Sequence, residues 1–422
     1  MIVTFDDWTQ GRSIASVGTN AGATELPFQS WRHFKESFTP ELIARAISES
    51  NNEIKTCIDP FGGSGTTGLA CQFLGVHPTL IEVNPFLSDL IESKLYKYNS
   101  DRLAVDFGRL IRRVSRNSYC VHVNLRNAPA TFVEPGVNGR WVFDKEIAWR
   151  ISAYLDAIDS VEDHAHRRLF KVLLGGILTE VSNVVISGKG RKYRRDWDSN
   201  RRSPDLVDRL LVASIERAIS EIHLYSMREC TSYELRRGDS RQLISSNDRF
   251  DIAVFSPPYP NSFDYTDVYN LELWALGYLS DGAENRALRN ATMSSHVQIH
   301  RMFAPAPTSS PLLNSALFEL KEKRAQLWNR NIPEMLGGYF ADMLTVLDRL
   351  YNAIISRGSV WIVVGDSQYA GIQIQTARVL SELTQGQGWR VSTFEPFRAM
   401  RSSAQQGGRP QLAETLLVLN KA

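Results

Sequence analysis

A chain of 422 residues is long enough for two or three domains of roughly 150 residues each. Its 43% hydrophobic and 22% charged residues are ordinary for a globular protein and exclude a disordered, collagen-like or disulfide-stapled one. The net charge is only +2, so its distribution says more than its total. No apolar run approaches the roughly 20 residues that cross a bilayer, so no membrane partner is expected. The start at Met1 has no basic region followed by an apolar stretch, and a cytoplasmic location is expected. Cys57, Cys71, Cys120 and Cys230 form neither a CxxC pair nor a Cys/His cluster, so no metal is expected.

In chain order, residues 1–25 are polar, rich in Gly, Ser and Thr, and expected to be loosely ordered. Thr39 is placed to cap a helix whose first turn holds Pro40 and whose face is Leu42, Ile43 and Ala46. A short strand at Lys55–Asp59 runs into a Gly-rich turn, and a helix is predicted from about Thr66. A second strand at Pro78–Val83 precedes a helix opened by Pro85, completing a βαβ unit. Residues 101–228 then read as helical. Leu103, Phe107, Leu110 and Val114 recur at spacings of three and four, as do Ile147, Ile151, Leu155 and Ile158, and a third helix follows Ser203-Pro204. Between the second and third predicted helices lies a basic loop. Lys189 to Arg202 holds seven Lys/Arg against two Asp, and Arg109, Arg112, Arg113 and Arg116 form a second basic run. Concentrated positive charge of this kind suits a polyanionic partner. Strand patterns return at Tyr233–Asp239, Phe250–Phe255, Ser359–Gly365, Trp389–Phe394 and Glu414–Leu419. Strands alternating with helices make a doubly wound α/β sheet, which binds ligands outside the carboxyl ends of its strands. The Gly-rich turn, Glu82, Asp239 and Ser256 all fall at such ends.

Two motifs carry chemistry. The turn Asp59-Pro-Phe-Gly-Gly-Ser-Gly-Thr-Thr-Gly68 contains G-x-G-x-x-G across Gly63, Gly65 and Gly68, which lets a ligand approach the backbone at a helix start. It lacks Gly-Lys-Ser/Thr, which excludes a nucleotide P-loop. Glu82, at the end of the next strand, is placed to accept bonds from both hydroxyls of a ribose. The second motif is Ser256-Pro257-Pro258-Tyr259. Its prolines stiffen the chain and remove two amide donors, leaving carbonyls to accept, while Ser256 adds a hydroxyl and Tyr259 a planar face. Such a group suits a flat molecule that donates N–H bonds. A tight structural turn and a packing tyrosine are the plain alternatives.

Together the two motifs resemble those of the S-adenosylmethionine-dependent DNA amino-methyltransferases. The first is similar to that family's cofactor motif and the second to its catalytic motif, in the Ser form commoner among cytosine-N4 enzymes. The helix start within Trp31 to Ile43, the Gly238-Asp239-Ser240 loop and the tail through Val364–Ser367, Arg401–Gln406 and Glu414–Leu419 also resemble the family. The resemblance implies a Rossmann-like class I methyltransferase sheet, here with a mostly helical insertion. It implies that Phe38, Thr39, Asp59, Phe61, Gly63, Gly65, Thr66, Thr67, Glu82 and Asp239 bind S-adenosylmethionine. Ser256, Pro257, Pro258 and Tyr259 would act on an exocyclic amine, with Phe263 and Tyr265 as pocket walls.

The expected organisation is a loose segment 1–25, a cofactor-binding part 26–100, the insertion 101–228 and a catalytic part 229–422. The family more often places target recognition between the counterparts of Asp239 and Ser256, or later, but only about sixteen residues separate them here. The basic charge of 101–228, and not the resemblance, makes it the candidate for target recognition. Lys189, Arg191, Lys192, Arg194 and Arg195 are expected to meet DNA phosphates, with Tyr193 and Trp197 as stacking or wedge groups. Arg286–His300 is a further candidate DNA contact. The expected reaction is methyl transfer to cytosine N4 in DNA, within a restriction or defence system. Adenine N6, or a catalytically silent DNA-binding relative, is the alternative. A nicotinamide-dependent oxidoreductase would share the glycine turn but not Ser256–Tyr259.

Overall fold

The computed structural model describes residues 2–12, 14, 22–33, 38–114, 120–187, 190–261, 263–401 and 411–421. Its strands are β1 (Thr56–Asp59), β2 (His77–Glu82), β3 (Val184–Ser187), β4 (Gly190–Tyr193), β5 (Glu234–Arg237), β6 (Phe250–Phe255), β7 (Ile354–Gly365), β8 (Ser367–Tyr369), β9 (Ile372–Ile374), β10 (Trp389–Arg401) and β11 (Gln411–Lys421). Seven of them form one sheet in the order β10-β11-β7-β6-β1-β2-β5. Neighbours from β7 to β5 run parallel, whereas β11 is antiparallel to both β7 and β10. This is the Rossmann-like methyltransferase sheet, with a reversed strand wedged in at one side. β1 and β6 are buried along nearly their whole length because helices cover both faces, which is why they read as continuous apolar runs. From β1 the chain runs outward to β2 and β5, then returns to β6 on the other side. A crevice therefore opens beyond the carboxyl ends of β1 and β6, where ligands bind in such sheets.

The insertion contains helices Ser100–Arg113, Lys145–Asp159, His164–Val181 and Asp205–Leu224, and its apolar residues continue the core on one sheet face. A second core, built on helix Ile332–Ala353, covers the other face. His164–Val181 was not among the predicted helices. Its Gly175 and Gly176 permit close approach. A Cβ at Gly176 would lie 2.2 Å from the Trp31 carbonyl oxygen, and one at Gly175 would lie 2.6 Å from Phe86. Among the described residues no helix is long and apolar enough to cross a membrane.

Three expectations need correction. The described part of 1–25 is not loose: Phe5–Thr9 is a helix with a full Thr4/Asp7 capping box, and Trp8 is fully buried. The Trp8 ring stacks on Phe73 at 4.8 Å and its Nε1 donates to the Pro27 carbonyl at 3.1 Å. Thr39 does not cap its helix, which spans Glu41–Ser48 with Pro40 as the cap residue; the Thr39 carbonyl accepts from Leu42 N instead. The basic loop is in part the β3–β4 hairpin, and Arg194 works inside the fold. Its guanidinium donates to the Thr179 and Ser182 carbonyls at 2.8 and 3.0 Å, closing the end of the His164–Val181 helix, where unpaired carbonyls attract a cation.

The N-terminal helix is thus part of the core. Trp8→Ala is expected to cost about 3–5 kcal/mol, the usual range for deleting a buried Trp. Denaturant unfolding checks this, and a loss below about 1 kcal/mol would return the segment to a loose arm.

Candidate active site

The crevice holds a cavity of about 380 Å³. Its floor is the turn after β1, and two buried acids shape that turn. Asp59 accepts from Phe61 N at 2.9 Å and from Thr67 Oγ1 at 2.6 Å, pinning the turn to the first residues of helix Thr66–Phe73. Glu82 accepts from Gly63 N at 2.8 Å and Asn84 N at 2.7 Å, so it joins the turn to the end of β2. Burial pushes the Asp59 carboxyl up to about 6 and the Glu82 carboxyl up to about 7, against the pull of these donors. Gly65 has a φ of 81°, a conformation that disfavours side chains. At Gly68 a Cβ would meet Leu80 and Leu95 at 2.9 Å, so the third glycine serves helix-to-strand packing.

Lys94 supports the turn from beneath and escaped the sequence reading. It is 1% exposed, and its Nζ donates to the Ser64 carbonyl at 2.8 Å and to Gln29 Oε1 at 2.9 Å. Burial pulls it down to about 7, while Glu221 acts in the opposite direction. A lysine four residues beyond Leu90 on an ordinary amphipathic helix carries no local signal of that role.

Phe38, Asp59, Phe61, Gly63, Thr66, Thr67, Glu82 and Asp239 all line the cavity. Thr39 and Gly65 are not among its lining residues; Thr39 is buried beside Phe38, and Gly65 faces Ile91. Asp239 caps the short helix Ser240–Leu243 through Arg241 N at 2.9 Å and also takes the Arg241 guanidinium at 2.7 Å. Arg241 Nε also donates to both Asp239 oxygens, at 2.9 and 3.0 Å, so a ligand at this carboxylate would compete with the Arg241 guanidinium.

Ser256, Pro257, Pro258 and Tyr259 follow β6 and form another wall of the same cavity. The Tyr259 hydroxyl donates to Glu414 Oε1 at 2.6 Å, and Ser256 Oγ donates to the Tyr259 hydroxyl at 3.4 Å. The Pro260 carbonyl accepts from the buried Tyr369 hydroxyl at 2.9 Å, which anchors the loop to β8. Phe263 lines the cavity, whereas the Tyr265 side chain lies outside the described residues. Residues 291–293, 295 and 296 complete the wall. Of the candidate DNA-contact stretch Arg286–His300, Arg289 is engaged internally, as is Arg301 just beyond it, whereas Arg286 is exposed. Arg289 pairs with buried Asp264, and Arg301 donates to the Thr292 and Met293 carbonyls. Burial pulls the His296 imidazole down to about 4, which keeps it neutral at pH 7.

The basic hairpin divides by role. Lys189 lies outside the described residues. Arg191 reaches Asp267 at 3.4 Å, on the short helix Tyr265–Val268 that follows the Ser256–Tyr259 loop, so β4 stands beside that loop. Lys192 and Arg195 are exposed. Tyr193 and Trp197 pack on each other at 4.9 Å, and Trp197 meets Trp141 at 4.9 Å, so both rings already have partners.

Comparison with known proteins agrees with this geometry. Residues 8–93 match a family model described as DNA methylase, N6_N4_Mtase. The chain is 26% identical to the Type II methyltransferase M.AvaI of Nostoc sp., over 94% of this chain and 86% of that protein. It is 24% identical to the Type II methyltransferase M.BsoBI of Geobacillus stearothermophilus, over 98% of this chain and 89% of that one. Among solved structures, the rRNA methyltransferase aviRa from Streptomyces viridochromogenes aligns over 91% of this chain and 85% of its own, at 10% identity and a TM-score of 0.30. The fold assignment rests on strand order and not on that score. The chain is thus similar to DNA amino-methyltransferases of the N4/N6 kind, and these likenesses imply S-adenosylmethionine as the methyl donor.

The cavity fits this donor. A paired-hydroxyl ribose needs an acidic acceptor, and Glu82 offers one on the cavity wall beside a turn whose glycines keep side chains out of the way. The sign of the pH effect follows. With its folded value near 7, Glu82 is half protonated there in the empty protein, and accepting two hydroxyls favours the carboxylate. S-adenosylhomocysteine affinity should therefore be full above pH 7 and fall below it, by up to about tenfold per pH unit. Glu82→Gln should weaken binding at pH 8 by about 1–3 kcal/mol and abolish the step near 7, leaving only a step nearer 6 that belongs to Asp59. Calorimetry from pH 5.5 to 8 checks this; a wild type with flat affinity contradicts it.

Proposed function

We propose that this protein methylates the exocyclic N4 amine of cytosine in DNA, as the modifying half of a restriction-modification system. The observation that carries the reading is that Ser256–Tyr259 and the Gly63/Glu82 turn line one cavity. When bound, S-adenosylmethionine supplies an electrophilic methyl group on a sulfonium. The chain's part is to hold and prepare the amine. An exocyclic amine is a poor nucleophile because its lone pair is delocalised into the ring. Ser256 Oγ and the Pro257 carbonyl accept its two N–H bonds, which favours a pyramidal nitrogen and frees the lone pair. Rate then comes from positioning and fixed dipoles, with no covalent enzyme intermediate.

A base in a duplex must be extruded to reach this crevice, and the Tyr259 ring offers the face on which it stacks. Lys192 and Arg195, with Lys189 and Arg191, meet the phosphates beside the catalytic loop. In this reading 26–100 and 229–422 form the catalytic part and 101–228 carries target recognition. That the two named relatives are Type II methyltransferases supports DNA as substrate and a cognate nuclease as partner. The neutral Ser256 favours cytosine. Adenine N6 is the second reading, because a hydroxyl accepts from either base's amino group.

Reaction with methyl-labelled donor followed by nucleoside mass spectrometry decides the product. Label in N4-methylcytosine is expected; label in N6-methyladenine alone would replace the base and keep the enzyme class. Label in neither, from protein that binds DNA and S-adenosylhomocysteine, sinks the reading.

The cations separate in a second experiment. Lys192→Ala/Arg195→Ala should flatten the salt dependence of DNA binding by up to roughly 0.9 in log–log slope per lost phosphate contact, at unchanged stability. Arg194→Ala should instead cost about 1–2 kcal/mol of stability through its lost carbonyl bonds. Salt-titrated binding and denaturant melts tell them apart; an unchanged slope in the double variant removes the hairpin from the interface.

A further inference from the structure

The reversed strand β11 delivers an acid to the catalytic loop. Glu414 is 4% exposed, faces Gly365 across the β7–β11 register and lines the cavity. It is the one acid in a strand whose other residues through Leu419 are apolar or neutral, and burying it is costly unless it is bonded. The cofactor turn makes no use of it. Its Oε1 accepts from the Tyr259 hydroxyl at 2.6 Å, which in turn accepts from Ser256 Oγ at 3.4 Å. The three groups form a directed chain. Each proton points toward Glu414, so Ser256 turns its lone pairs to the cavity, as an acceptor of an amine N–H must.

Methylating a neutral amine also leaves one proton too many on nitrogen, and the cavity wall must take it. We propose that Glu414 is the final acceptor of that proton, reached through Ser256 and Tyr259; the proposal rests on the amino-methyltransferase reading. The nitrogen lone pair forms the bond to the methyl carbon, and the electron pair of the breaking carbon–sulfur bond stays on sulfur. One N–H proton moves to Ser256 Oγ as the Ser256 proton passes to the Tyr259 oxygen and the Tyr259 proton to Glu414. The N–H electron pair returns to nitrogen. Ser256 and Tyr259 end as they began, and Glu414 ends neutral. The sulfonium charge and the carboxylate charge are thereby cancelled in one event, which a poorly solvated cavity favours. Because Glu414 acts through Tyr259, it is a positioning residue as well as a proton sink.

Glu414→Gln tests this in the full chain, since the amide oxygen still accepts from Tyr259 but cannot take a proton. The expected result is a single-turnover rate lower by about 100-fold or more, the range for losing a general base. KM for DNA and Kd for S-adenosylhomocysteine should stay within about threefold. The fluorescence rise of 2-aminopurine at the target position, which reports base extrusion, should be unchanged. Glu414→Asp should recover part of the rate. Glu414→Gln with the wild-type rate overturns the relay. If that variant fails to fold, Tyr259→Phe decides: it keeps the ring and cuts the chain, and a wild-type rate there overturns the relay too. A wild type that methylates no amine sinks the parent reading, whereas an active wild type with equally active variants sinks the relay alone.

Discussion

The site depends on two acids buried where a glycine turn leaves the sheet. Asp59 and Glu82 sit on neighbouring strands, and each accepts two bonds from the turn or from residues beside it. Without them the turn would leave backbone N–H groups unpaired in a buried region, a penalty of about 1–3 kcal/mol for each group. With them the turn is fixed, but the acids are held at about 6 and 7, away from their ordinary range. That tension makes Glu82 suited to a ligand. A carboxylate kept partly protonated by burial gains from new donors, such as the paired hydroxyls of a sugar.

The rest of the molecule holds a second wall at the right place against this floor. β6 pairs directly with β1, so the loop that ends it starts beside the turn. Its stiffness comes from Pro257 and Pro258, and its anchors come from β8, outside the main sheet, and from β11. Tyr369 on β8 holds Pro260, and Glu414 on β11 holds Tyr259. The reversed strand therefore does more than link β10 to β7: its pairing with β7 sets where an acid meets Tyr259. The insertion adds its own tie, Arg191 to Asp267, between the basic hairpin and the segment just past the loop.

Much of this was legible in the chain because its signals are local. The glycine turn, the prolines after β6 and the alternation of apolar runs with helices each announce their structure within ten residues. What was not legible is long-range or looks like something else. Lys94 is one of three charges on an ordinary amphipathic helix and Glu414 is the one acid on an apolar strand, and only the fold shows that one supports Ser64 and the other Tyr259. The need for glycine at 175 and 176 shows only once Trp31 and Phe86 are seen packed against them. Arg194 reads as one more surface cation in a basic run, and it becomes a helix cap only because the hairpin folds back on Thr179 and Ser182. Trp8 lay in a stretch whose average polarity hid one well-capped turn.

The central claim is that one cavity receives both the methyl donor and an extruded base. The most direct test is a crystal structure of the protein with S-adenosylhomocysteine and a duplex carrying its target site. The account predicts the ribose on Glu82 and a flipped cytosine whose amino nitrogen lies within hydrogen-bond distance of Ser256 Oγ and the Pro257 carbonyl. A ribose held elsewhere, or a base that remains stacked in the duplex far from Ser256 while the donor site is filled, would contradict it.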